Sequence, residues 1–402
     1  MQGAKNSALP ILAAAVVTGK TSVLKRCPRL RDTDAAIRIL RHIGCEAAWV
    51  GRDVIVRSDD VRQWSVDEAM MREMRSSIIF LGAILARFGR AEVSTPGGCD
   101  IGMRPIDLHL SALRDMGVQT QECGGRLLCT APQGLRGGVV TLPFPSVGAT
   151  ENRLLCAVCA KGETVLHGAA REPEIVSLQE YLRGIGVKIS GAGSGTVSIN
   201  GTEWRDETVY TIPGDRIVAS TLACACAAAG GRIILSGADS DHFSTVLHFL
   251  NEAGCDIINF NDIVEISSDG KLSAPGHIIT APYPGFPTDA QPILMAALLR
   301  SQGTTRITET IFENRFRQAG ELRRLGGDIA VSGTEAVLHG VKKLHGDTLT
   351  APDLRGGAAM IVAGLHAEGE TIIIDAGHIA RGYERFDDTL CALGADVWIE
   401  HK

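Results

Sequence analysis

The sequence predicts an α/β protein of two domains, each built from three copies of one strand–helix–strand–helix–strand–strand unit. Three observations lead there. An alanine-rich helical segment followed by a β-branched strand recurs six times, closing on Gly19, Gly89, Gly162, Gly231, Gly303 and Gly369 at spacings of 70, 73, 69, 72 and 66 residues. A second helical segment in each copy ends at Gly44, Gly117, Gly186, Gly254, Gly326 and Gly394, at spacings of 73, 69, 68, 72 and 68. Two independent markers that keep one period identify an internal repeat. The chain is also too long, at 402 residues, for one ordinary core.

In order, the first helices run Ser7 to Gly19, Met74 to Gly89, Thr150 to Gly162, Ile217 to Gly231, Ala290 to Gly303 and Gly357 to Gly369. Each terminal glycine suits the left-handed residue that ends a helix. A short strand pair follows each second helix, as in Glu46 to Val56, Val118 to Thr130 and Val187 to Ile199. Ala13-Ala14-Ala15 and Ala223 to Ala229 give the first helices no polar face, so they are expected to be buried on all sides, with the sheets outside. Six units exclude an eightfold parallel barrel. A boundary at Pro213-Gly214 divides the chain into residues 1–213 and 214–402, three units in each.

The composition, 45% hydrophobic and 21% charged, is that of an ordinary globular protein. A net charge of -6 does not suit nucleic acid. The 11 cysteines show no disulfide-like arrangement. Cys156 and Cys159 form a C-x-x-C inside an apolar helical run, and Cys224 and Cys226 sit among alanines, so buried, reduced thiols in a reducing cytosol are expected. Further Cys or His at zinc spacing is lacking. Lys5 before the apolar run Ala8 to Val17 imitates a signal peptide, but Pro10 interrupts it and the pattern recurs inside the chain, so export is not expected. Gly19-Lys20-Thr21 resembles the end of a phosphate-binding loop, yet position 14 is Ala14 and the tripeptide closes a helix, so that reading fails.

Chemistry concentrates in two places. The first is the loop Ser94-Thr95-Pro96-Gly97-Gly98-Cys99-Asp100-Ile101-Gly102-Met103-Arg104-Pro105, between a strand expected at Ala91 to Thr95 and a helix expected at Pro105 to Met116. Its glycines mark a surface loop, and it carries a thiol near a cation. The second is the set of helix starts. Lys5-Asn6, Arg75, Ser146-Val147-Gly148, Asp215-Arg216, Thr288-Asp289 and Asp353-Leu354-Arg355 open the first helices. Arg31-Asp32, Arg104 to Asp107, Arg171 to Glu174, Glu313-Asn314-Arg315 and Arg381 to Glu384 open the second. Asp32, Asp34, Glu172 and Asp215 read as helix N-caps. Lys5, Arg75, Arg104 and Arg381 oppose the helix dipole, which implies an anionic ligand to offset them.

Gly3-Ala4-Lys5-Asn6 with Ala8-Leu9-Pro10, Pro96-Gly97-Gly98-Cys99 with Arg104-Pro105-Ile106-Asp107-Leu108-His109, and Phe286-Pro287-Thr288-Asp289 together resemble the enolpyruvyl transferase family. So do Phe312-Glu313-Asn314-Arg315-Phe316, Asp353-Leu354-Arg355 and Arg381-Gly382-Tyr383-Glu384-Arg385. The cysteine loop is specific to the branch acting on UDP-N-acetylglucosamine and is lacking in the shikimate-type branch. The resemblance covers essentially the whole chain. It implies two inside-out α/β barrel domains, each with a pseudo-threefold repeat, and a site in the cleft between them. It implies enolpyruvyl transfer from phosphoenolpyruvate to the 3-hydroxyl of the sugar nucleotide in the cytoplasm, with release of phosphate and without metal or organic cofactor.

Carried over by position, Lys5, Asn6, Arg104, Arg355 and Arg381 would hold phosphoenolpyruvate. Cys99 would be the general acid, with Asp289, Lys5 and Arg381 also catalytic. Asn6, Arg75, Arg104, Pro105, Ile106, Asp107, Leu108, Ser146, Val147, Asp289 and Ile311 would contact UDP-N-acetylglucosamine. Phe144 stands where relatives carry a polar or basic residue. Relatives also carry a short strand before Gly3 that belongs to the second domain. Either the start is mis-set or truncated here, or the protein manages with one crossing between domains, in which case the second domain is expected to be less stable and domain closure looser. Two alternatives stay open: a non-catalytic or weakened paralogue lacking that strand, and an RNA 3′-terminal cyclase, for which His378 would be the nucleophile.

Overall fold

A computed structural model of the chain describes residues 1–94, 106–203, 205–260 and 262–400. Cys99, Arg104 and Pro105 lie outside the described residues. The chain divides into two compact units, the first containing residues 3–94 and 106–213, the second residues 1–2 and 214–400. The boundary expected at residue 1 thus falls after Gln2, for a local reason. The Met1 amine donates to the Ser236 carbonyl at 2.9 Å, the Asp215 N–H to the Gln2 carbonyl at 3.1 Å, and the Gln2 side chain to the Gly382 carbonyl at 3.0 Å.

Three sheets show the repeat complete. One orders its strands Val139–Thr141, Glu163–His167, Thr196–Asn200, Lys188–Ser190, with the first pair parallel and the rest antiparallel. His277–Ile279, Thr304–Thr308, Glu335–His339 and Asp328–Ser332 repeat that order in the second unit. A helix between the two parallel strands makes the crossover that parallel pairing needs. The third complete sheet takes its first strand from the far end of the same unit: Thr208–Thr211 lies parallel to Thr21–Lys25, followed by Asp53–Arg57 and Glu46–Val50. Two sheets have three strands, Arg90–Ser94 with Arg126–Thr130 and Gln119–Cys123, and Gly231–Ser236 with Ile263–Ser268 and Asp256–Phe260. The sixth pairs Thr348–Thr350 with Ile372–Ile374.

The helices lie inside, as their composition requires. In Lys5–Thr18 every residue but Asn6 is buried, and in Arg216–Ala229 every residue but Ala229. Strands alternate buried and outward positions, as in Glu163–His167, which is the pattern of a sheet with one solvated face. In the first unit Lys5–Thr18, Phe80–Phe88 and Val147–Ala157 touch one another. In the second, Arg216–Ala229, Gln291–Ala297 and Leu354–Gly364 do the same. Small side chains permit this closeness: a Cβ on Gly82 would sit 2.4 Å from the Asn152 carbonyl oxygen of the neighbouring helix.

The two glycine markers have different causes. After all six second helices the glycine has φ between 85° and 107°, and its N–H donates to the carbonyl three residues back at 2.9–3.1 Å. Of the first set, only Gly19 and Gly89 cap their helices directly. The helices Val147–Ala157 and Leu354–Gly364 stop five residues short of the marker. Gly162, Gly231, Gly303 and Gly369 instead take positive φ where the chain turns into the next strand.

Two outcomes follow. Gly82→Ala is expected to lower stability by about 1–3 kcal/mol through overpacking of two inner helices, read from denaturant unfolding. His366 is buried and contacts the Ala296 carbonyl through Nε2 at 3.2 Å. Burial, aided by the Arg300 charge, pushes its pKa from the usual 6.5 down to about 4. The unfolded chain therefore takes up the proton first. The neutral imidazole's contribution is complete above pH 6.5 and falls by about 3 kcal/mol as pH drops toward 4. Unfolding of His366→Gln across that window should show a correspondingly flatter dependence on pH.

Candidate active site

In the first unit, Lys5 opens the inner helix Lys5–Thr18, whose N-cap, Ala4, supplies no side-chain cap. Its Nζ lies 2.6 Å from Asp32 Oδ2, and both side chains are buried. Asp32 is therefore not an N-cap: Leu30 holds that position, its N–H donating to Thr33 Oγ1 at 2.9 Å, which leaves the Asp32 carboxylate for the lysine. Asp34 accepts from Trp49 Nε1 at 2.9 Å, so it is no cap either. Glu172 holds the cap position of Pro173–Gly184 without a side-chain cap bond. Asp215 does cap its helix, accepting from the N–H groups of Ile217 and Val218.

Asn6 follows Lys5, half-buried. Arg75 opens the 3-10 helix Arg75–Ile79. Ser146 caps Val147–Ala157, accepting from the Ala149 N–H at 3.4 Å, and Val147 packs on the core. The helix after the cysteine loop runs Asp107–Arg114, shorter than expected, with Ile106 at its N-cap position, Asp107 exposed and Leu108 half-buried. Phe144 is 43% exposed. Glu151 is buried, and burial, reinforced by Glu174 and Glu172, holds its carboxyl well above the usual range.

The second unit gathers a denser network. Asp289 Oδ1 accepts from Arg315 Nη2 at 3.1 Å and lies 3.4 Å from Arg355 Nε. Arg315, its side chain 2% exposed, also donates to the Thr288 carbonyl at 3.1 Å and reaches within 3.8 Å of Asp353. Asp353 caps Leu354–Gly364 through the Arg355 and Gly356 N–H groups. Arg355 is buried too, its guanidinium 3.4 Å from Tyr383 Oη, which bonds Thr221 Oγ1 at 2.9 Å. Burial alone would lower the Arg355 pKa, but Asp289, Tyr383 and Asp215 outweigh it and hold the guanidinium charged. A carboxylate facing two guanidiniums is correspondingly well stabilised.

Buried Glu309 joins two expected site positions. It accepts from Thr288 Oγ1 at 3.0 Å, next to Asp289, and from the Ile311 N–H at 2.8 Å. Arg381 departs from expectation: it ends the 3-10 helix Ile379–Arg381, and the next helix starts only at Phe386. Its neighbours tie to the chain start, the Glu384 N–H donating to Gln2 Oε1 at 2.9 Å.

The structure thus brings Asp289 and Arg355 together in one network and joins Lys5 to Asp32 in another. The roles of Arg315, Asp353, Tyr383 and Glu309 were not foreseen. The conjunction of Glu313-Asn314-Arg315 with Asp353-Leu354-Arg355 was the available signal. Among the described residues no group of three or more His, Cys, Asp or Glu could hold a metal ion.

Residues 1–390 match the family model described as EPSP synthase (3-phosphoshikimate 1-carboxyvinyltransferase). UDP-N-acetylglucosamine 1-carboxyvinyltransferase 2 of Caldanaerobacter subterraneus subsp. tengcongensis is 47% identical over 397 residues, covering 99% of this chain and 95% of the relative. UDP-N-acetylglucosamine 1-carboxyvinyltransferase 1 of Symbiobacterium thermophilum is 44% identical over 402 residues, covering 99% and 91%. The crystal structure of the enolpyruvyl transferase NikO from Streptomyces tendae superposes with a TM-score of 0.89 at 26% identity, covering 98% of this chain and 94% of that one. EPSP synthase from Acinetobacter baumannii shares the fold, with a TM-score of 0.75 at 18% identity over 98% and 94% of the two chains.

Removing one member of a buried ion network strands its partners. Arg315→Met is expected to cost about 3–5 kcal/mol of stability, measured by denaturant titration, because Asp289 and Asp353 lose a shared guanidinium.

Proposed function

The chain belongs to the EPSP synthase family of enolpyruvyl transferases, and from that premise we propose that it transfers the enolpyruvyl group of phosphoenolpyruvate to the 3-hydroxyl of UDP-N-acetylglucosamine. Phosphate is released, and the product enters peptidoglycan synthesis as its first committed intermediate. The observation that carries the reading is near-full-length identity of 47% and 44% to two relatives bearing that activity in their names.

The chemistry asks for fixed cations around a small dense anion. In this reading Lys5, Arg104, Arg355 and Arg381 receive the carboxylate and phosphate of phosphoenolpyruvate, beside Asn6. Lys5 starts from a pair with Asp32, so the substrate shares that cation with an internal carboxylate. Cys99 gives its proton to C3 while the sugar oxygen bonds C2 and Asp289 takes the hydroxyl proton. In the second step C3 returns a proton to the Cys99 thiolate, the C2–O bond to phosphate breaks, and inorganic phosphate leaves with the proton that Asp289 had taken. Cationic side chains around that leaving group supply the largest electrostatic contribution.

Arg315 and Arg355 both face Asp289. Arg75, Pro105, Ile106, Asp107, Leu108, Ser146, Val147 and Ile311 complete the sugar-nucleotide contacts. No helix among the described residues is long and apolar enough to cross a membrane, and the reading places the reaction in the cytoplasm, where both substrates arise.

Phosphate release from phosphoenolpyruvate tests the proposal. Release should depend on UDP-N-acetylglucosamine and fall about 10²-fold or more in Cys99→Ala, the range for loss of a general acid. Release that instead depends on 3-phosphoshikimate, or full turnover in Cys99→Ala, would overturn it.

A further inference from the structure

The inner helix Val147–Ala157 carries three consecutive polar residues inside the first unit: Glu151, Asn152 and Arg153. Asn152 and Arg153 are fully buried and both reach the helix Asp107–Arg114. Arg153 Nη1 donates to the Ala112 carbonyl, near the end of that helix. Asn152 Nδ2 lies 2.7 Å from His109 Nδ1, near its start.

The direction of that second bond can be worked out. Asn152 Oδ1 accepts from the Gly82 N–H at 2.7 Å, and Nδ2 donates to the Ile78 carbonyl at 3.0 Å. A backbone donor on one side and a backbone acceptor on the other fix the amide's orientation. Its nitrogen can only donate, so His109 Nδ1 is the acceptor and the ring proton sits on Nε2. The far edge of the ring packs on Gly148, where an added Cβ would lie 2.8 Å from Cε1 and 3.2 Å from Nε2. Burial pushes the imidazole pKa down to about 4, so the neutral tautomer holds across the neutral range.

We propose that His109, held by Asn152 and seated on Gly148, is a positioning residue for the sugar nucleotide. It sets the spacing between the segment Ile106, Asp107, Leu108 and the segment Ser146, Val147. Each segment opens one of the two helices that the imidazole joins. A protonated ring could not accept from Asn152, and a side chain at position 148 could not share the space. The inference rests on the substrate reading above.

Steady-state kinetics with each substrate varied test it. His109→Ala should raise the KM for UDP-N-acetylglucosamine about tenfold, the scale of one lost buried hydrogen bond, with a change under twofold in kcat and in the KM for phosphoenolpyruvate. His109→Gln offers a neutral acceptor to Asn152 and should recover most of the loss. Gly148→Ala displaces the ring and should raise the same KM. In the double variant His109→Ala with Gly148→Ala the two effects should not add, since the group displaced is already gone. Additive effects, or equal rises in both KM values, would overturn the proposal. Should His109→Ala fail to fold, His109→Gln and Gly148→Ala carry the comparison, and an unchanged nucleotide KM in Gly148→Ala overturns it alone. Wild-type turnover that ignores UDP-N-acetylglucosamine would instead sink the substrate reading itself.

Discussion

Burying a helix around its whole circumference is the constraint from which the rest of each unit follows. Such a helix offers no lateral surface to water, so most of its side chains are apolar, as in Ala13-Ala14-Ala15, and the polar ones it carries, Glu151, Asn152 and Arg153 in Val147–Ala157, are buried with it. At its start four N–H groups lack partners within the helix. Three such helices per unit, each flanked by a sheet with one wet face, leave charged chemistry few places to go. Ser146, Asp215 and Asp353 answer that demand as N-caps, and Lys5, Arg216 and Arg355 stand at the same termini.

Cations at helix starts oppose the dipole, and the structure shows internal carboxylates meeting part of that cost. Asp32 meets Lys5, and Asp289 meets Arg355 and Arg315. The arrangement holds these cations in place by contacts internal to the chain. Preorganised charge of this kind stabilises a reacting anion without reorganising at the moment of reaction.

The repeat was legible because its markers are backbone requirements. A glycine at φ near 90° after each second helix cannot drift without strain, so the period survives in Gly44 through Gly394. The first set misled over where helices end, because a glycine entering a strand and one leaving a helix look alike in sequence. Within the site, charge type was readable but pairing was not. In sequence Asp32 has the residue type and position of an N-cap, whereas its partner is Lys5, a contact set by packing between two helices. The pairing of Arg315 and the place of Glu309 are hidden for the same reason: both rest on contacts across the fold, with Asp353 and with the Ile311 N–H. Arg381 does not open a helix because the last copy is irregular there: Arg381 closes a 3-10 turn and the helix begins at Phe386.

The parallel strand Thr208–Thr211 completes a sheet whose next strand, Thr21–Lys25, emerges first from the ribosome. The partners Ser22 and Thr208 are about 190 residues apart, so during synthesis at roughly 5–20 residues per second that edge waits on the order of 10–40 seconds for its neighbour. Over that interval Thr21–Lys25, paired on one side with Asp53–Arg57, leaves its other edge open. The nascent first unit depends on slow, distant closure rather than on local folding, and its vulnerability to misassembly is greatest just before its last strand is made.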